Sequence, residues 1–284
     1  MSSLAPDQVA LPAADRAEPP ARFRDLLAAE WIKLRSLRST KWTVGLIVLM
    51  VIGAAAVAAY ADYGNFPRYS PMAQREHLFA FRDAMPQPGY WTLMLAASGV
   101  GAISVVSEYS SGLIRTTTVA VPARASVIAA KAVVLSVVWA VLGALMALAA
   151  YGVSQAILAG RHAALPLTSP GMPRALLACA LLAPVSALIG LGLGVLIRHS
   201  ASTVVGAAFT LLLLPEFLSE HRRWSADLNH TMVRVAWDRL TVPWNPPPEA
   251  GFHVPTILGS WLVFAAWPLA AVLLALLVVR RRDV

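Results

Sequence analysis

The sequence predicts an all-α integral membrane protein of about six transmembrane helices, preceded by an amphipathic interfacial helix and with both termini cytoplasmic. Three observations carry this expectation. Of 284 residues, 58% are hydrophobic and 13% charged, whereas soluble domains carry roughly a quarter charged residues. The deficit falls in long apolar runs, and a bilayer core of roughly 30 Å needs about 20 such residues per helix. The Lys and Arg residues crowd the ends of alternate runs, as the positive-inside rule requires of cytoplasmic flanks.

The elements follow in chain order. Residues 1–21 are rich in Ala, Pro and Asp. They lack an apolar h-region and an early basic patch, so they read as a disordered tail and not a secretory signal. Residues 22–41 form the interfacial helix. At 100° per residue Phe23, Leu26, Leu27, Trp31, Leu34 and Leu37 share one face, while Arg22, Asp25, Lys33 and Arg35 lie on or near the other. Glu30 falls inside the apolar arc. It either reaches water at the helix edge or meets a partner surface.

The remaining residues, 42–282, form the transmembrane unit, with apolar spans at about 42–60, 91–106, 130–157, 175–197, 201–218 and 256–279. The link Arg198-His199-Ser200 makes the fourth and fifth spans a tight antiparallel hairpin. One set of flanks holds Arg16, Arg22, Arg24, Lys33, Arg35, Arg38 and Lys41, then Arg115, Arg124, Lys131, Arg198 and Arg280 to Arg282. That is 14 of the 23 basic residues, so this side is cytoplasmic. The segments 61–90 and 219–255 are then the long external connections. The second carries Trp224, Trp237 and Trp244 and the run Pro246-Pro247-Pro248, a density of aromatics that suits a segment at the membrane interface, part of it re-entrant.

Three features could carry mechanism. The cytoplasmic connection 107–126, SEYSSGLIRTTTVAVPARAS, is longer than a turn and is punctuated by Gly112 and Pro122. It reads either as a solvated link or as a docking loop for a soluble partner. Pro184, Pro215 and Pro268 lie within or at the ends of spans, where proline kinks or breaks a helix, and Gly190, Gly192 and Gly194 permit close helix packing. Glu216, beside Pro215, either lines a cavity or rests among headgroups, which makes Pro215 and Glu216 candidates for a path or gate.

Other chemistries are not indicated. No GxxxxGK[ST], HExxH or GxSxG motif occurs. The six His have no metal-ligand spacing, and Cys179, alone in an apolar run, reads as a buried inert thiol. The net charge of +8 is a topology signal; no basic stripe interleaved with aromatics points to nucleic acid.

The stretch Ala29-Glu30-Trp31-Ile32-Lys33-Leu34-Arg35-Ser36, followed by Arg38-Ser39-Thr40, resembles the permease subunits of type-2 ABC exporters, especially actinobacterial ones. So does Ser107-Glu108-Tyr109-Ser110-Ser111-Gly112-Leu113-Ile114-Arg115-Thr116-Thr117, with Val121-Pro122 and Ala130-Lys131 after it. The resemblance implies a multi-pass protein of the bacterial cell membrane that forms the translocation path. It implies a separate ATPase partner, which holds the ATP and Mg, and a second permease chain, identical or paralogous. This chain itself would be no enzyme and hold no cofactor. The loop between the second and third spans would dock on the ATPase, so Glu108, Tyr109, Arg115 and Thr116 become coupling candidates, with Glu30 nearby. The segment before the last span would form short re-entrant helices. The rival expectation is a membrane-embedded interaction or sensor protein without transport.

Overall fold

The computed structural model describes residues 22–36, 38–110, 124–219, 221–243 and 253–281. The expected tail, most of the docking loop with Arg115 and Thr116, and Trp244 with the triple proline lie outside the described residues. Among those described, every regular element is helical.

The order is α1 Phe23–Ser36, α2 Arg38–Asn65, α3 Pro71–Glu76, α4 Leu78–Asp83, α5 Gln87–Ser110, α6 Arg124–Ala159, α7 Met172–Ile197, α8 Ser200–Ala208, α9 Arg223–Asn229, α10 Val233–Thr241 and α11 Ile257–Arg281. Among the described residues, six stretches are long and apolar enough to cross a membrane: Ser39–Arg68, Leu78–Tyr109, Ala125–Ala159, Met172–Ile197, Ser200–Phe217 and Ile257–Arg281. The protein is therefore an all-α, multi-pass membrane protein.

The bundle is organised around α7. Its apolar window is 67% buried, against 22% for the α2 and α8 spans and 17% for α11. A helix apolar all round is either buried in protein or faced with lipid; α7 is the first kind and the outer helices are the second. It packs against α5, α6, α8, α10 and α11. Two features fix its ends. Gly171 takes φ of +85° before Met172, and Arg198 takes φ of +59° as the C-cap, its N–H donating to Gly194 O. The chain then reverses within His199, whose Nδ1 accepts from the Ser202 N–H and caps α8. This is the expected tight hairpin.

Small residues let the central helices approach closely. A Cβ on Gly190 would lie 1.9 Å from Ser98 O, and one on Gly101 would lie 1.9 Å from Ala187 O. The α5–α7 seam is thus a backbone-to-backbone contact that no larger residue permits at these positions. Gly192 faces Ala271 of α11 and Gly194 faces Ala102 of α5 in the same manner. The prolines behave differently from one another. Pro184 and Pro268 sit inside α7 and α11 without breaking either helix. Pro215 does interrupt regular helix: α8 gives way to a π turn over Phe209–Leu213 and a 3-10 turn over Leu214–Phe217.

The far end of the bundle, opposite α1, is more structured than a pair of long loops. α2 continues to Asn65, and Tyr69 donates to Asp62 Oδ1 at 2.7 Å. Burial and this bond push the Tyr69 phenol up to about 12. The rings of Phe66, Tyr69 and His77 gather around Phe79. In the second segment α9 and α10 form two short helices before α11. Trp237 is not exposed to an interface: it is 1% exposed, its ring tilted against that of Tyr90 at 5.3 Å between centroids. Among the described residues, Trp224 is the exposed tryptophan of this region. Arg174 ties α10 down by donating to Leu240 O and Val242 O. Cys179 is fully buried.

Candidate functional site

The highest concentration of buried charge lies where α1 meets the ends of α5 and α6. Glu30 projects from the middle of α1, Glu108 from the last turn of α5, and Lys131 from the second turn of α6. Lys33, one turn beyond Glu30, completes the group. The four side chains close a ring. Lys33 Nζ donates to Glu30 Oε1 at 2.7 Å and to Glu108 Oε1 at 2.9 Å. Lys131 Nζ donates to Glu30 Oε2 at 2.5 Å and to Glu108 Oε1 at 3.1 Å. Each ammonium bridges both carboxylates, and the ring sums to zero charge.

Burial makes the ring consequential. Glu30 and Lys131 side chains are each 5% exposed and Glu108 is 12%, while Lys33 opens to the surface at 35%. Isolated charges at this depth would be prohibitive, so each depends on its partners. Burial alone would lower the pKa of Lys33; the Glu30 and Glu108 carboxylates hydrogen-bonded to it outweigh burial and hold the ammonium above its usual range.

The ring also settles how α1 is seated. Leu26, Leu27, Glu30, Lys33 and Leu34 turn toward the bundle, whereas Phe23, Trp31 and Ile32 are exposed. The buried stripe is therefore centred on Glu30 and rotated from the apolar arc. Glu30 does not reach for water at the helix edge: it is buried, and its carboxylate accepts from Lys131 and Lys33 of its own chain. Tyr109 follows Glu108 and receives the Arg198 guanidinium over its ring at 4.7 Å. This joins the α7–α8 hairpin to the end of α5. Among the described residues Arg198 Nε and Nη2 have no hydrogen-bond partner. Arg115 and Thr116 lie outside the described residues.

Pro215 and Glu216 belong to the opposite end. Glu216 Oε1 pairs with Arg234 Nη1 of α10 at 2.7 Å, and that guanidinium lies 5.1 Å from the Trp91 ring. The pair ties the broken end of the fifth span to α10 and shares no contact with the ring at α1.

Lys33, Lys131 and Arg234 are the partners that sequence reasoning did not single out. Lys131 carried a signal: a lone lysine inside a long apolar helix must find an acid. Among the described residues no group of three or more His, Cys, Asp or Glu is placed to hold a metal. Neither a protein-family model nor a curated protein matches the sequence.

Proposed function

We propose that this chain is the membrane-spanning permease subunit of an ATP-driven exporter of the type-2 ABC class, seated in a bacterial cell membrane with its α1 end in the cytoplasm. One observation carries the reading furthest. The segment 111–123 is bracketed by Glu108 at the end of α5 and Lys131 near the start of α6; Glu108 accepts from Lys33 of α1 and from Lys131, and Lys131 also donates to Glu30 of α1. A force on that segment therefore reaches α1, α5 and α6 together. Buried ion pairs resist separation but tolerate rigid displacement, which suits an element that transmits motion as a unit.

Two further features agree with this assignment. The short helices α9 and α10 stand before the last span, where the family resemblance implies a re-entrant pair. The chain carries no P-loop motif, so ATP and Mg would be held by a separate ATPase that docks against 107–126, with a second permease chain completing the path. Closure of the ATPase would press on that connection, and the ring would pass the displacement to the interfacial helix and the α5–α6 pair. In this scheme Glu30 and Glu108 position the coupling segment, and Arg115 and Thr116 remain candidates for contact with the ATPase.

The test is purification of the tagged chain in mild detergent from its native host, with mass spectrometry of accompanying proteins. An ATPase with a Walker motif in roughly equal amount is the expected result. A chain that emerges alone even after cross-linking would overturn the proposal in favour of a non-transporting membrane sensor.

A further inference from the structure

Beside the charged ring lies a cavity of about 310 Å³, lined by the four charged side chains of the ring, by Ser36, Ser104 and Ser107, and by Leu34, Val134 and Leu135. It opens at the joint between α1 and the two spans α5 and α6. Its size is at the lower limit for a small-molecule site. Its lining combines charged and hydroxyl groups with apolar side chains, which matches an amphiphile and not a uniformly polar solute.

We infer that this cavity binds one membrane phospholipid of the zwitterionic, primary-ammonium class (phosphatidylethanolamine chemistry), its headgroup on the Glu30–Lys33–Glu108–Lys131 ring and the start of an acyl chain against Leu34, Val134 and Leu135. The charge count selects the class. A neutral ring offers no net field to an anionic or cationic headgroup, but it presents separate donor and acceptor valences. Each lysine ammonium has three N–H donors, and the ring occupies two on Lys33 and two on Lys131. Both ring bonds to Glu108 fall on Oε1, which leaves Oε2 outside the ring. A phosphoryl oxygen takes the third N–H of the partly exposed Lys33, and a primary ammonium donates to the Glu108 carboxylate. A choline headgroup has no N–H to donate, and a glycerol headgroup has no positive charge. Phe23, Trp31 and Ile32 are exposed on α1, as suits a helix lying at the level of the lipid headgroups. The inference needs only that the chain spans a membrane and holds whether or not it works with an ATPase.

The experiment uses the full chain in nanodiscs containing a trace of phosphatidylethanolamine with a photoreactive group early in its acyl chain. Cross-linked peptides are mapped by mass spectrometry. Adducts on Leu34, Val134 or Leu135 are expected, displaced by unlabelled phosphatidylethanolamine about tenfold more effectively than by phosphatidylcholine or phosphatidylglycerol, the difference that one charge-assisted hydrogen bond supplies. Val134→Phe, which fills the cavity and leaves the ring intact, should remove those adducts while labelling of the outer helices persists. Adducts confined to the lipid-facing surfaces of α2, α8 and α11 in the wild-type chain would overturn the proposal. So would equal displacement by all three lipids, which would mean ordinary boundary lipid.

Discussion

Among single residues, the ring makes the sharpest demands. Lys131→Met leaves Glu30 and Glu108 facing one remaining ammonium, a net negative charge at a site where two of the four side chains are almost fully buried. Breaking a buried pair from one side typically costs about 3–5 kcal/mol. Adding Glu30→Gln restores neutrality, with Lys33 and Glu108 still paired, so the double variant should recover about 1–3 kcal/mol of that loss. Thermal unfolding in detergent, run as a double-mutant cycle, measures it; strictly additive losses would mean that the charges do not act as a unit. The pH dependence has a definite sign. Lys33 is held above its ordinary value of 10.5 in the fold. Its contribution is complete below that value and is lost only as pH rises through the higher folded value. Neutral and mildly alkaline conditions should therefore leave the Lys33 bonds intact. Part of this site was legible in the sequence: an acid within the apolar arc of α1 and a lysine within an apolar span both signal buried partners. Their pairing was not legible, because Glu30 and Lys131 are 101 positions apart and no local period links them.

For whole elements, the legible signal was the length of the apolar runs, since a bilayer sets the same minimum for every span. What periodicity could not supply was which helix would be central. α7 is apolar throughout like its neighbours, and only the glycine spacing set it apart. That spacing yields a contrast. Gly190→Ala and Gly101→Ala force a Cβ onto a carbonyl oxygen across the α5–α7 seam, and overpacking of this kind costs about 1–3 kcal/mol or more. Gly152→Ala in α6 meets nothing within 4 Å and should be neutral or stabilising by up to about 1 kcal/mol. Comparing the melting temperatures of the three variants tests the seam directly; a uniform response would remove its special role. The prolines show why local rules fall short. Pro215 stands in the 3-10 turn that ends the irregular stretch after Ala208, whereas Pro184 and Pro268 sit inside helices that continue through them. The cluster of tryptophans misled for a related reason. Composition marks an aromatic as suited to an interface, but Trp237, on α10, is buried against Tyr90 of α5.

For the molecule as a whole, the asymmetry between its two ends has a consequence for orientation. The α1 end gathers the charged ring, Arg198 and the arginines at the end of α11, and the other end gathers α3, α4, α9 and α10. If the basic flanks lie in the cytoplasm, these ends face opposite compartments. The chain offers a clean way to test this, because Cys179, its single cysteine, is fully buried and should not compete for label. His199→Cys places a thiol in the exposed α7–α8 turn at the α1 end, and Ser70→Cys places one in the exposed connection before α3. A membrane-impermeant maleimide applied to intact cells should label Ser70→Cys at once and His199→Cys only after permeabilisation. The reverse pattern would invert the protein and remove the proposed docking segment from the compartment that holds ATP. Labelling of both thiols in intact cells would mean that the two ends are not separated by a membrane barrier, which six apolar spans of this length should provide.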